Sequence, residues 1–169
     1  MAAGGRHNPQ KGWDYAKQII QHYKDDKNIM FLCIGSASDD PSLDDCNIKY
    51  IEYIQDKMNF SLYYSASDIF FHPSMAEAFC LVIIQALSCG IPVVTFPVGI
   101  AEEAIQHKIN GYIARYQDVD DLISGIDYIL NLSNDKIKEI EIMSRKIVLE
   151  KFTAKIMAEN YLNLFKKLI

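Results

Sequence analysis

PSMAEAFCLVIIQALSCGIPVV, residues 73–94, runs from the end of one strand through a helix into a second strand. Residues 79–88 are apolar on most sides, which predicts a buried helix. Cys89 and Gly90 close that helix as a C-cap. IPVVTF, residues 91–96, reads as a strand, with Pro92 tolerable at its start. Just upstream, DIFFHPS at 68–74 reads as a short strand stopped by Pro73. Strand, helix, strand implies a parallel pair joined by a right-handed crossover.

The same alternation extends in both directions. Trp13, Ala16, Ile19, Ile20 and Tyr23 recur at helical spacing. IMFLCIG at 29–35 is a continuously apolar strand, as expected in a sheet covered on both faces. An acidic loop follows at 36–45, then a strand over 48–54 and a short helix over 58–65. Downstream come a short helix at 102–107, a turn at Asn110-Gly111 and a strand at 112–114. Asp118 is placed to cap a helix carrying Leu122, Ile126, Ile129 and Leu130. Helices over 135–150 and 153–168 complete the chain. The predicted fold is a Rossmann-like α/β domain, a parallel sheet with helices on both faces. Ligands in such sheets sit at the carboxyl ends of the strands.

At 169 residues the chain has the size of a single domain. Its 50% hydrophobic and 23% charged residues are the balance of a folded chain rather than a disordered one. A net charge of -5 excludes a general nucleic-acid footprint but permits a local basic pocket. The apolar runs at 29–34 and 78–84 are too short to span a bilayer, and residues 1–12 contain no secretory apolar stretch. Four cysteines without a C-x-x-C pair, three of them in apolar surroundings, fit buried thiols in a reducing compartment. The first strand is nearly missing, so the expectation is a fragment cut at a domain boundary, 1–169 being one domain of a larger enzyme.

Two stretches carry candidate chemistry. The first is the turn and helix start after His72. Unpartnered N–H groups around Phe79 to Leu81 favour an anion, and a phosphate is the natural occupant. Glu77 and Gln85, eight residues apart, can share one side of this segment. Complementing the helix dipole would explain Glu77 as simply. The second is GGRHNPQKG, residues 4–12, where Arg6 and Lys11 flank a turn and can both reach a diphosphate. It is neither G-x-G-x-x-G nor a Walker A loop, which argues against an NAD-type dehydrogenase and a P-loop NTPase. A solvated surface loop explains it equally in isolation. His7, His22, His72 and His107 have no metal-ligand spacing. His72, at a strand end before Pro73, could line the cleft, although a packed or solvent-facing histidine explains it more simply. Glu102 and Glu103 suit a helix N-terminus by dipole alone.

Taken together, in order and at their spacings, these motifs resemble the C-terminal, donor-binding domain of a family 4 (group 1) glycosyltransferase of the GT-B architecture. The resemblance rests on Gly5-Arg6 and Lys11-Gly12, SDIFFHPS from Ser67, EAFCLVIIQALSCGIPVV from Glu77, GIAEEAIQHKINGYIA from Gly99 and the closing KFTAKIMAENYLNLFKKLI. It implies a retaining transfer of a hexose from a nucleoside-diphosphate sugar, with a UDP-sugar favoured, to an acceptor hydroxyl, without a metal or other cofactor. It implies that Arg6 and Lys11 hold and stabilise the departing diphosphate, with Gly5 in the same loop. It places Glu77 beside the transferred sugar, Gln85 at the ribose and Tyr53 with Ile54 at the base. Ala78 and the backbone of Phe79, Cys80 and Leu81 would line the phosphate and sugar site. A glycan, lipid or small-molecule acceptor would bind an N-terminal domain that this chain lacks. The expected setting is cytoplasmic, peripheral to the inner membrane surface in the full-length protein.

Three residues depart from the family pattern. Gln85 stands where a second Glu is usual, and Ala78 and Cys80 stand at two glycine positions. An amide can still donate to and accept from a ribose hydroxyl. These departures motivate the competing reading, a non-catalytic nucleotide-sugar-binding or regulatory module of the same fold.

Overall fold

The period-two pattern of the apolar strands divides the molecule into two cores. A computed structural model describes residues 2–3, 8–35 and 40–168. Strand β1 (Ala2–Ala3) leads into a 3-10 turn at Pro9–Lys11 and helix α1 (Trp13–His22). Then come β2 (Phe31–Ile34), a second 3-10 turn at Pro41–Leu43, β3 (Ile48–Ile51) and α2 (Lys57–Ser65). The segment around Glu77 links β4 (Phe70–His72) to α3 (Leu81–Ser88). After it follow β5 (Val93–Thr95), α4 (Ala101–Ala104), β6 (Gly111–Ile113), α5 (Val119–Leu130), α6 (Asn134–Lys151) and α7 (Ala154–Leu168).

Among the described residues, every strand pair is parallel. The strands form two three-stranded sheets, β1-β2-β3 and β4-β5-β6, with β1 lying beside β4. The spatial order is therefore β3-β2-β1-β4-β5-β6, in which the chain reverses its direction of growth between β1 and β4. Strand-end loops diverge at such a switch point and leave a crevice. The loops after β1 and β4 carry Lys11 and Glu77.

Neighbouring strand residues face opposite cores, as the pleat requires. Phe70 and Val93 pack with Ile83 and Leu87 of α3 on one face. Phe71 and Val94 pack with Ile19 and Ile20 of α1 and Leu122 and Ile126 of α5 on the other. Helices thus cover both faces, and the expected Rossmann-like α/β architecture is the one observed. Helix α7 differs from the rest: none of its residues is buried, and Leu162, Leu164, Phe165 and Leu168 are exposed.

The polar ends of the elements follow the sequence. The Asp118 carboxylate accepts from the Asp121 N–H at 3.0 Å and caps α5. Asp118→Ala is expected to destabilise the fold by about 1 kcal/mol in urea unfolding. The cap at Cys89 is also as expected, the Ile91 N–H donating to the Ala86 carbonyl at 3.0 Å. The start of α3 is not. The apolar run predicts helix from Phe79, yet the helix begins at Leu81, with Cys80 at φ +73° as its N-cap. The Phe79 carbonyl instead accepts the Ile100 N–H at 2.8 Å. That strap from the loop after β5 pulls residues 79 and 80 out of the helical path.

Candidate functional site

Three backbone fixtures position the two loops that meet at the switch point. The Asn8 side chain accepts from the Gln10 N–H at 3.0 Å and shapes the turn that ends in Lys11. The Gln10 carbonyl accepts both the Met75 N–H, at 2.7 Å, and the Ser74 hydroxyl, at 2.9 Å. At the strand ends, the buried Thr95 hydroxyl donates to the His72 carbonyl at 2.8 Å. Gly12 lies so close to the 73–74 backbone that a β-carbon there would stand 1.9 Å from the Pro73 oxygen.

These constraints bring Lys11 and Glu77 together across 66 residues of chain. The Lys11 ammonium donates to Glu77 Oε1 at 2.8 Å. His72 Nε2 lies 3.1 Å from the same oxygen. A carboxylate only accepts, so Nε2 carries the proton in this bond. Cys80 Sγ lies 3.2 Å from the same imidazole nitrogen. The other ring nitrogen of His72, Nδ1, is buried and has no hydrogen-bond partner among the described residues. His72 is thus buried under Glu77 and supports it, and it also lines the strand-end cleft, the alternative the sequence left open beside packing.

The electrostatics follow from these contacts. The His72 hydrogen bond, helped by Lys11 and Ser74 and opposed by burial, holds the Glu77 carboxyl down at about 2. Burial, reinforced by the Glu77 charge, pushes the Cys80 thiol up to about 12. Glu77 is thus an ionised acceptor throughout the neutral range, and Cys80 is a protonated thiol.

A pH dependence of stability follows. The Glu77 pKa falls on folding from an ordinary 4.5 to about 2. Its contribution is fully present above the unfolded value and is lost as the pH falls from 4.5 towards 2. The full contribution is about 3 kcal/mol, from about 1.4 kcal/mol per unit. In urea unfolding measured across this window, Glu77→Gln is expected to flatten the acid limb. An unchanged limb would remove Glu77 as its cause.

Lys11, Glu77, Ala78, Phe79, Cys80 and Leu81 share a cleft of about 540 Å³ with Ile34, Tyr53 and Ile54. Tyr53, Ile54 and Phe60 also line an adjoining cavity of about 400 Å³, together with Gln85. Tyr53 is exposed, and the Tyr64 hydroxyl is 3.5 Å from Gln85 Oε1. Gln85 therefore belongs to the second compartment rather than to the Glu77 cleft. The N–H groups of Phe79, Cys80, Leu81 and Val82 have no backbone acceptor among the described residues. Gly5 and Arg6 lie outside the described residues. Glu102 and Glu103 are exposed on α4 and do not line the cleft.

The sequence spacing offers no metal set, but the fold assembles one candidate group among the described residues. Donor atoms of His72, Glu77 and Cys80 all lie within 4.8 Å of one another. No helix among the described residues is long and apolar enough to cross a membrane.

The model of a family described as glycosyl transferases group 1 matches residues 2–146. An uncharacterized glycosyltransferase of Haemophilus influenzae is 29% identical over 132 residues, covering 72% of this chain and 36% of the relative. An uncharacterized 41.2 kDa protein in the cps region of Klebsiella pneumoniae is 27% identical over 165 residues, covering 96% and 44%. The chain thus spans less than half the length of these curated relatives. Among solved structures, Anabaena HepE in complex with UDP-glucose superposes with a TM-score of 0.81 at 18% identity, covering 98% of this chain and 48% of that one. The C-terminal domain of LpcC, a group 1 family protein from Francisella tularensis, superposes with a TM-score of 0.74 at 21% identity, covering 90% and 85%. At these identities the superpositions establish the shared fold.

Proposed function

The chain belongs to the group 1 glycosyl transferases, and on that premise we propose that its switch-point cleft binds the nucleoside-diphosphate sugar of a retaining hexosyl transfer. The observation that carries the reading is the 2.8 Å pair of Lys11 and Glu77, a cation and an ionised carboxylate at the mouth of one strand-end cleft. As the glycosidic bond to the diphosphate breaks, negative charge grows on the leaving phosphate. A fixed ammonium beside it lowers that barrier. Lys11 supplies this charge together with Arg6, and the N–H groups of Phe79, Cys80 and Leu81 add neutral donors. No metal is needed for this role.

Glu77 does different work. With a pKa of about 2 it cannot give up a proton at neutral pH, which excludes it as the general acid. It accepts hydrogen bonds from hydroxyls of the transferred sugar and stabilises positive charge developing on the sugar ring. Tyr53 and Ile54, at the boundary of the two compartments, receive the base, and Gln85 in the second receives the ribose. Ala78 lines the phosphate and sugar end. Anabaena HepE, whose structure holds UDP-glucose, supports a UDP-sugar as donor. The acceptor, a glycan, lipid or small molecule, binds a preceding N-terminal domain, in a cytoplasmic enzyme peripheral to the inner membrane surface.

Calorimetric titration of the chain with UDP, GDP and ADP tests the reading. Saturable binding of UDP, lost in Arg6→Ala and Lys11→Ala, is the expected result. Absence of binding by any of the three at millimolar concentration would overturn it. The chain alone is expected to bind donor without transferring sugar, because the closed, water-excluding cleft needs both domains. Robust transfer by the chain alone would refute that division of labour.

The alternative, a non-catalytic module, draws on Cys80, whose thiol is turned onto His72 where the family pattern has a glycine. Glu77→Gln and Gln85→Glu in the full-length protein separate the two. Changed transfer supports the enzyme, and unchanged transfer with altered partner activity supports the module.

A further inference from the structure

We propose that His72, Glu77 and Cys80 form a binding site for a zinc-class divalent ion, seated under the mouth of the cleft. Tetrahedral zinc bonds of about 2.0–2.3 Å set donor atoms roughly 3.3–3.6 Å apart. His72 Nε2 is 3.1 Å from Glu77 Oε1 and 3.2 Å from Cys80 Sγ, and the whole set fits within 4.8 Å. His72, Glu77 and Cys80 all line the cleft, so a small rotation of the thiol or the carboxylate completes a three-ligand site that a fourth ligand can reach from it. One thiolate, one imidazole and one carboxylate suit zinc and cobalt, whereas magnesium and calcium demand more oxygen ligands than the single carboxylate offers.

The protons balance simply. The thiol releases its proton to solvent as sulfur bonds the metal, and the imidazole ligates through the Nε2 lone pair with its N–H on Nδ1. Nδ1 has no partner among the described residues, so the unsatisfied atom is the same one before and after the shift. Lys11 opposes the ion. Its ammonium must leave Glu77, and its one-third exposed side chain has the open cleft to move into. The thiolate and carboxylate together neutralise the divalent charge.

The placement of the thiol is also unusual. Cys80 holds the left-handed φ of +73°, a conformation unfavourable to any residue with a side chain, and it is buried with its sulfur on His72. The site stands on these three side chains alone. Only its consequence rests on the function proposed above: a carboxylate held by zinc is withheld from the donor sugar, so metal and donor exclude one another.

Cobalt is the probe. Metal-free chain titrated with Co2+ should develop a thiolate-to-cobalt charge-transfer band and the visible bands of a tetrahedral ion, saturating at one equivalent and bleached by Zn2+. Cys80→Gly keeps the backbone angle comfortable, so it should fold and lose the charge-transfer band. Glu77→Gln should keep the band but weaken binding by more than the roughly 10–100-fold that second-shell changes cost. The double variant Cys46→Ser, Cys89→Ser should behave as the parent chain. No thiolate band on adding cobalt, or a band that survives in Cys80→Gly, would overturn the proposal.

Discussion

Lys11→Ala is expected to lower the affinity of the chain for UDP by about a hundredfold or more. A bound diphosphate would cover Lys11, and truncating one member of a buried, hydrogen-bonded charge pair costs about 2–5 kcal/mol, largely through the charge left without its partner. Here two charges lose a partner, the incoming diphosphate and Glu77. Folding stability should respond much less. Lys11 is one-third exposed, and ion pairs of that exposure contribute about 0–1 kcal/mol. Glu77 also retains the His72 hydrogen bond. Affinity by calorimetry and stability by urea unfolding should therefore part company in this variant. Lys11→Arg, which preserves the charge, should recover a share of the binding. A Lys11→Ala chain that binds UDP like its parent would remove Lys11 from the diphosphate site.

Gly12→Ala should produce the opposite pattern, a large loss of stability that takes binding with it. Gly12 has φ +69°, and an added β-carbon would stand 1.9 Å from the Pro73 oxygen and 2.7 Å from its carbonyl carbon. Neither is a side chain that can rotate away. The left-handed conformation alone costs an alanine about 1–2 kcal/mol. Parting the two backbones adds an overpacking cost of about 1–3 kcal/mol. The total, about 2–5 kcal/mol, should appear as a large fall in the urea midpoint at constant slope. The shift also strikes at the contacts of Gln10 with Ser74 and Met75, which register Lys11 against Glu77. A variant of parental stability would show that the two loops can separate freely.

The fold was legible because its determinants are local. Alternating apolar positions such as Phe70 and Phe71 specify which face of the sheet each residue serves, and Asp118 and Cys89 announce helix ends within four residues of their partners. The start of α3 was misread because the apolar run continues through Phe79 and Cys80. What excludes them is a hydrogen bond from Ile100, twenty-one residues further on, and no periodicity contains it. At the site, Lys11 and Glu77 could each be picked out, but their 2.8 Å contact spans the switch point and exists only in the folded sheet. His72 is legible as a histidine at a strand end, but its tie to Glu77 is not. Its signal was a lone ionisable residue closing an otherwise apolar strand, five positions before Glu77. Such a residue looks like any packed histidine until the turn at Pro73 folds the carboxylate back onto its ring.

Helix α7 obeys a different economy from the other six. With none of its fifteen residues buried, it draws little support from the cores. Isolated helices of this length are marginal in water. Its amide protons should accordingly exchange through local opening, long before those of β4 and β5 are released by global unfolding. The last fifteen helical residues are a conditional segment, ordered in proportion to what covers their apolar side chains.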